Sequence, residues 1–131
     1  MFKSRATAGD VSATLANLPT EHLVFMLDAA WMVVGPTGVF VLVVEESTAE
    51  PAAHAVAQAE ALRERLADQI SWVPFIDAMV VIADREAARV EAGPCPSVPL
   101  RRLLTTIVDA PRRVDDETLA GLARIGLRRN V

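Results

Sequence analysis

The stretch Val33–Ser47 reads VVGPTGVFVLVVEES, and its reading decides the fold. Two apolar runs flank Gly35-Pro36-Thr37-Gly38, and the second run ends on Glu45 and Glu46. Proline pre-sets the backbone angle that the first central position of a turn needs, and glycine takes angles closed to other residues. A hairpin is therefore expected here. Traced backwards, the apolar run reaches Leu23, so that Leu23 to Val44 forms a 22-residue segment, LVFMLDAAWMVVGPTGVFVLVV. That is long enough for a helix to cross a bilayer. Against a span stand Asp28 inside it, the turn in its middle, and the acidic pair behind it without an aromatic and basic flank. Valine, phenylalanine and tryptophan suit strands. The expectation is two antiparallel strands, about 23–34 and 38–45, joined by the turn. A membrane-associated protein using 23–44 is kept only as the last alternative.

The remaining chain fills in the layers. A chain of 131 residues suits one domain, and 52% hydrophobic against 23% charged residues excludes a disordered composition. The domain is expected over 8–131, with residues 1–7 as a flexible arm. AGDVSATLANLP reads as a short helix, with Val11, Leu15 and Leu18 at helical spacing and Pro19 closing it. PAAHAVAQAEALRERLADQI reads as a longer one, Pro51 in its first turn and Ala55, Ala59, Leu62, Leu66 and Ile70 on one stripe. A buried strand follows over 78–83, then a loop with a short strand near Arg89-Val90. Leu100, Leu103, Leu104, Ile107 and Val108 mark a third helix, stopped before Pro111. The last helix carries Asp115, Asp116 and Glu117 at its start and Arg124, Arg128 and Arg129 near its end, as its dipole favours. The order predicts an α/β (α+β) fold: a small mixed sheet with a central hairpin, flanked by about four helices.

Charge and cysteine usage narrow the functional classes. A net charge of -4 makes general nucleic-acid binding an unfavoured reading. The basic residues concentrate late, with Arg101, Arg102, Arg124, Arg128 and Arg129 as the candidate phosphate-binding set. Cys95 is the one cysteine, so neither an intrachain disulfide nor a cysteine zinc site is available. His22 and His54 lie far apart, and no phosphate-cradling glycine motif is present. No secretory signal lies behind MFKSRATAGD, and the expected location is cytoplasmic.

These residues resemble a known family. VVGPTGVFVL is very like the signature hairpin of the nuclease-related (NERD) domains, which have the restriction-endonuclease-like fold and its PD-(D/E)xK motif. The helix AVAQAEALRERLAD, the strand in VPFIDAMVVIAD and the segment VPLRRLLTTI follow in the order these domains show, and AGDVSATLANLP looks like a shortened first helix. The resemblance covers most of residues 8–108 and implies a restriction-endonuclease-like core. It also implies an acid on the first hairpin strand and an Asp/Glu-x-Lys on the second, holding a divalent metal at a phosphate. With the turn as register, the first-strand acid falls at Ala30, the second-strand acid at Val43 and the lysine at Glu45. None matches. Asp28, two residues before Ala30, is expected on the same strand face.

The expected function is accordingly a catalytically inactive, degenerate and shortened member of this family, acting as a protein-interaction or structural module, with an unknown protein or a second copy as partner. Neither cofactor nor metal is expected. Two interface candidates follow: the shortened sheet edge near residues 20–30, and the former cleft side bearing Asp28, Ala30 and Val43. The alternative is a divergent nuclease or nucleic-acid binder using Asp28, Glu45 and Glu46, with Mg or Mn.

Overall fold

The computed structural model describes residues 6–27, 30–46, 48–70, 72–83 and 95–129, and for 27 and 125–129 the backbone alone. Among the described residues, five strands form one mixed sheet in the order β1-β2-β3-β4-β5: β1 Leu23–Leu27, β2 Ala30–Gly35, β3 Gly38–Val44, β4 Ile76–Ile82 and β5 Ser97–Pro99. Four described α-helices cover it: α1 Ala8–Leu15, α2 Pro51–Ala67, α3 Leu103–Val108, led by a 3₁₀ turn over Leu100–Arg102, and α4 Asp116–Arg129. The mixed α/β architecture is the one the sequence predicts. β1, β2 and β3 form an antiparallel meander, whereas β4 runs parallel to β3 and β5 parallel to β4. The parallel step needs a crossover, and α2 supplies it.

Side chains alternate between the two faces of the sheet, as the pleat requires. Ala30, Met32, Val34, Val39, Val41, Val43, Ile76 and Ala78 face a core closed by Ala55, Leu62 and Leu66 of α2 and Leu122 of α4. Trp31, Val33, Phe40, Leu42, Val44, Met79 and Val81 face the other core, with Val11 and Leu15 of α1 and Leu103 and Ile107 of α3. β3 is buried along its whole length, which is why it reads as an unbroken apolar run rather than an alternating one.

Several expectations need correction. The strand expected over 23–34 is two strands: β1 and β2 pair antiparallel, with Leu27 opposite Ala30. Both halves are apolar, so hydropathy alone did not reveal the reversal between them. β5 at Ser97–Pro99 occupies what was expected as loop, while the strand expected near Arg89-Val90 lies outside the described residues. Two residues assigned to the arm belong to the domain: Ala6 is buried, and Thr7 caps α1. The Thr7 hydroxyl accepts from the Asp10 amide at 3.1 Å and the Asp10 carboxylate accepts from the Thr7 amide at 3.0 Å, a reciprocal capping box.

The hairpin turn does more than reverse the chain. Gly35 and Gly38 are register partners, so Pro36 and Thr37 form its tip. The Thr37 hydroxyl, buried, donates to the carbonyl of Ile107 in α3. The carbonyl of Pro36 accepts from the amides of Arg113 (2.9 Å) and Val114 (3.1 Å). The Arg113 side chain donates back to the Thr37 carbonyl at 3.0 Å and pairs with Asp77 of β4 at 2.8 Å. Gly38 has φ +144°, a conformation L side chains rarely adopt, and a Cβ there would lie 3.1 Å from the Arg113 guanidinium. At Gly35 a Cβ would overlap the His22 ring.

Two outcomes follow in urea or thermal unfolding. Gly38→Ala should lower stability by about 1–3 kcal/mol through backbone strain, and Arg113→Met by about 1 kcal/mol through the two lost side-chain bonds. Exposed Asp115 accepts from the Thr118 amide at 2.7 Å, which holds its carboxyl below the ordinary carboxylate range. Its folded value therefore lies below its unfolded one, so its contribution is complete above about pH 4 and is lost as pH falls through the folded value. Asp115→Ala should melt earlier than the parent at pH 7, and the two curves should converge near pH 2.

Candidate functional site

The positions implied for metal ligands are adjacent in space. Ala30 in β2 and Val43 in β3 are direct register partners, as a ligand pair would be. Both are 0% exposed, inside the core beneath α2 and α4. Small side chains at Ala30 and Ala55 accompany this closure, with both residues fully buried. The side of the sheet that the resemblance implies as a cleft is filled with protein, and Ala30 and Val43 are corrected from interface candidates to core residues. Asp28 lies outside the described residues; since β1 ends at Leu27 and β2 begins at Ala30, the continuous strand on which its alignment with Ala30 was argued does not exist.

Glu45, where the resemblance implies a lysine, closes the end of the parallel ladder. Its amide donates to the carbonyl of Val81 at 3.0 Å, and its carboxylate accepts from the amide of Ala83 at 3.0 Å. The side chain thus satisfies a backbone donor just past the end of β4. Glu46 is exposed in the turn that follows. Two apolar core residues and a carboxylate engaged with the backbone do not fit a divalent metal, and among the described residues no cluster of His, Cys, Asp or Glu is placed to hold one. A crevice of about 690 Å³ lies beside Glu45, between the ends of β4 and β5 and the start of α2, lined also by Glu50, Val80, Ile82 and Ser97.

The arginine set is not one surface. Arg101 and Arg102 precede α3, which packs on one face of the sheet, whereas Arg124 is on α4, which packs on the opposite face. The side chains of Arg128 and Arg129 lie outside the described residues. Arg112 pairs with Asp116 at 2.6 Å and Arg113 with Asp77, so two further arginines are engaged within the fold. Burial pushes the Cys95 thiol up, away from a reactive thiolate at neutral pH. Both ring nitrogens of His22 are buried without a hydrogen-bond partner among the described residues, beside Gly35 rather than near His54 in the first turn of α2.

Two surface features remain. β1 is an edge strand that pairs only with β2 among the described strands. Its Leu23 and Phe25 pack towards the α2 side, but Val24 and Met26, 41% and 59% exposed, point to the opposite face beyond the cover of the helices. The second feature is the loop after α2, where Trp72 and Phe75 are 56% and 62% exposed. Sequence reading anticipated the open edge from the short connection before the hairpin, but not the aromatic loop. SWVPF has no periodicity that separates it from the buried strand behind it. Leu23–Val44 is three strands, and no described helix is long and apolar enough to cross a membrane.

No family model, no curated protein and no solved structure matches the chain. Because Val43 is fully buried, placing a carboxylate there by Val43→Asp should cost roughly 3–5 kcal/mol by burying a charge among apolar side chains. Urea unfolding with and without magnesium checks this: the loss should persist in saturating metal.

Proposed function

We propose that this chain is a non-catalytic, nuclease-related-like interaction module that associates through the open edge of β1, with a second copy of itself as the partner. The observation carrying the proposal is the pairing of Ala30 with Val43, both fully buried, where the nuclease motif needs two metal-binding acids. An apolar hairpin frame with its chemistry erased leaves binding as the function the fold still serves.

The edge favours self-association. An unpaired strand edge presents free amides and carbonyls to another strand, and natural monomers usually protect it with charge, proline or a covering segment. β1 is Leu-Val-Phe-Met-Leu and has none of these within the strand. Antiparallel pairing about a two-fold axis at Phe25 sets Val24 of one copy opposite Met26 of the other, twice, on one face. The remaining opposed pairs are Leu23 with Leu27 and Phe25 with itself, so no like charges meet. The two exposed residues of each strand then cover one another.

Analytical ultracentrifugation tests the proposal. The parent chain should sediment as a dimer at micromolar concentration, and Val24→Lys with Met26→Lys as a monomer with an unchanged circular dichroism spectrum. A parent that stays monomeric into the millimolar range overturns the self-association. Cleavage of DNA in magnesium or manganese by the parent, lost in Glu45→Gln, overturns the non-catalytic reading.

A further inference from the structure

We propose that a groove between α4 and the loop after α2 is a binding site for a small aromatic carboxylate. The groove is about 330 Å³, lined by Ile70, Trp72, Glu117, Thr118, Gly121 and Arg124. That volume is at the lower end of the range for small-ligand pockets and suits a single ring with one polar substituent.

Three observations converge on this site. The first is its floor. Gly121 is interior to α4, where glycine weakens a helix relative to alanine. The fold itself does not need the glycine. A Cβ built there would meet only Ile70 Cγ2 and the Arg124 guanidinium, each at 3.9 Å, which is ordinary contact. Those two neighbours both line the groove, so the missing methyl is space left open in the groove. The second observation is the wall. Trp72 leaves more than half of its surface to solvent beside this floor, a flat face for another ring to stack on. The third is the charge. Arg124 makes no hydrogen bond or ion pair among the described residues, so its fork of donors is available to a carboxylate. Glu117, two helical turns away along α4, lies at the other end and disfavours a second negative group, which limits the ligand to one carboxylate.

Benzoate is the probe, with benzamide as its neutral counterpart, read by amide chemical shifts of the full-length protein. Benzoate should produce saturable shifts in the millimolar range at residues 70–72 and 117–124, and benzamide should bind about tenfold more weakly. Arg124→Gln should lose about tenfold in benzoate affinity. Gly121→Ala should also weaken binding by filling the floor, yet raise the melting temperature by about 4 °C through helix propensity. That combination separates an occupied groove from a damaged fold. The proposal is overturned if benzoate gives no saturable shift, if Arg124→Gln binds it as the parent does, or if Gly121→Ala leaves the affinity unchanged. The groove lies on α4 and not on β1, so these results are independent of the oligomeric state.

Discussion

The fold hangs on two residues at the tip of one hairpin. After α3 the chain must leave one face of the sheet, pass its lower end and reach the opposite face as α4. Pro36 and Thr37 are the point over which it passes. Thr37 holds the Ile107 carbonyl within α3, and the Pro36 carbonyl receives Arg113 and Val114 as the chain turns towards α4. Buried backbone groups need partners, and here the turn and the crossing segment supply each other's. Arg113 extends the tie from the turn to β4 through Asp77, so three parts of the fold distant in sequence meet at one corner. Apolar burial supplies the bulk of the stabilisation, but it has no direction. These few bonds specify which way the last helix wraps.

The same turn sets the register of β2 on β3. Ala30 lies opposite Val43, and both are packed in the core that α2 and α4 close. Glu45 adds a side-chain tie at the far end of the same strand. Its carboxylate accepts from the amide of Ala83 just beyond β4 and finishes the parallel pairing. Its carboxylate is engaged with backbone, which leaves less of it for a metal or a water.

The legible parts of the sequence were those where one physical signal dominates. The period of Leu62 and Leu66 gave α2, Pro51 gave its start, and Gly-Pro-Thr-Gly gave the turn between β2 and β3. The split between β1 and β2 was hidden because both strands are apolar and Asp28 between them reads equally as a charge within one strand. β5 was hidden because Ser97–Pro99 is three residues long and owes its state to pairing with β4, a tertiary contact with no local signature. For the site, the turn register singles out Ala30 and Val43, which the structure pairs, but burial is a property of what packs above them. The separation of Arg101 and Arg102 from Arg124 likewise follows from the crossing at Pro36–Thr37, which no charge count contains.

The same crossing leaves the molecule with two unlike surfaces. On the α1 and α3 side, Trp31 and Val33 of β2 are buried in the core that these helices close, but Val24 and Met26 of β1 stay exposed. On the other side, α2 and α4 close the sheet, and the space that remains lies between the helices, around Gly121 and Trp72. A layered domain with a single helix pair per face covers about three or four strands, because packed helices lie 8–10 Å apart while strands lie about 4.8 Å apart. A five-stranded sheet therefore has an edge left over on whichever face carries the shorter helices. β1 is that edge among the described strands, and its Val24 and Met26 stay exposed on the face that carries α1 and α3.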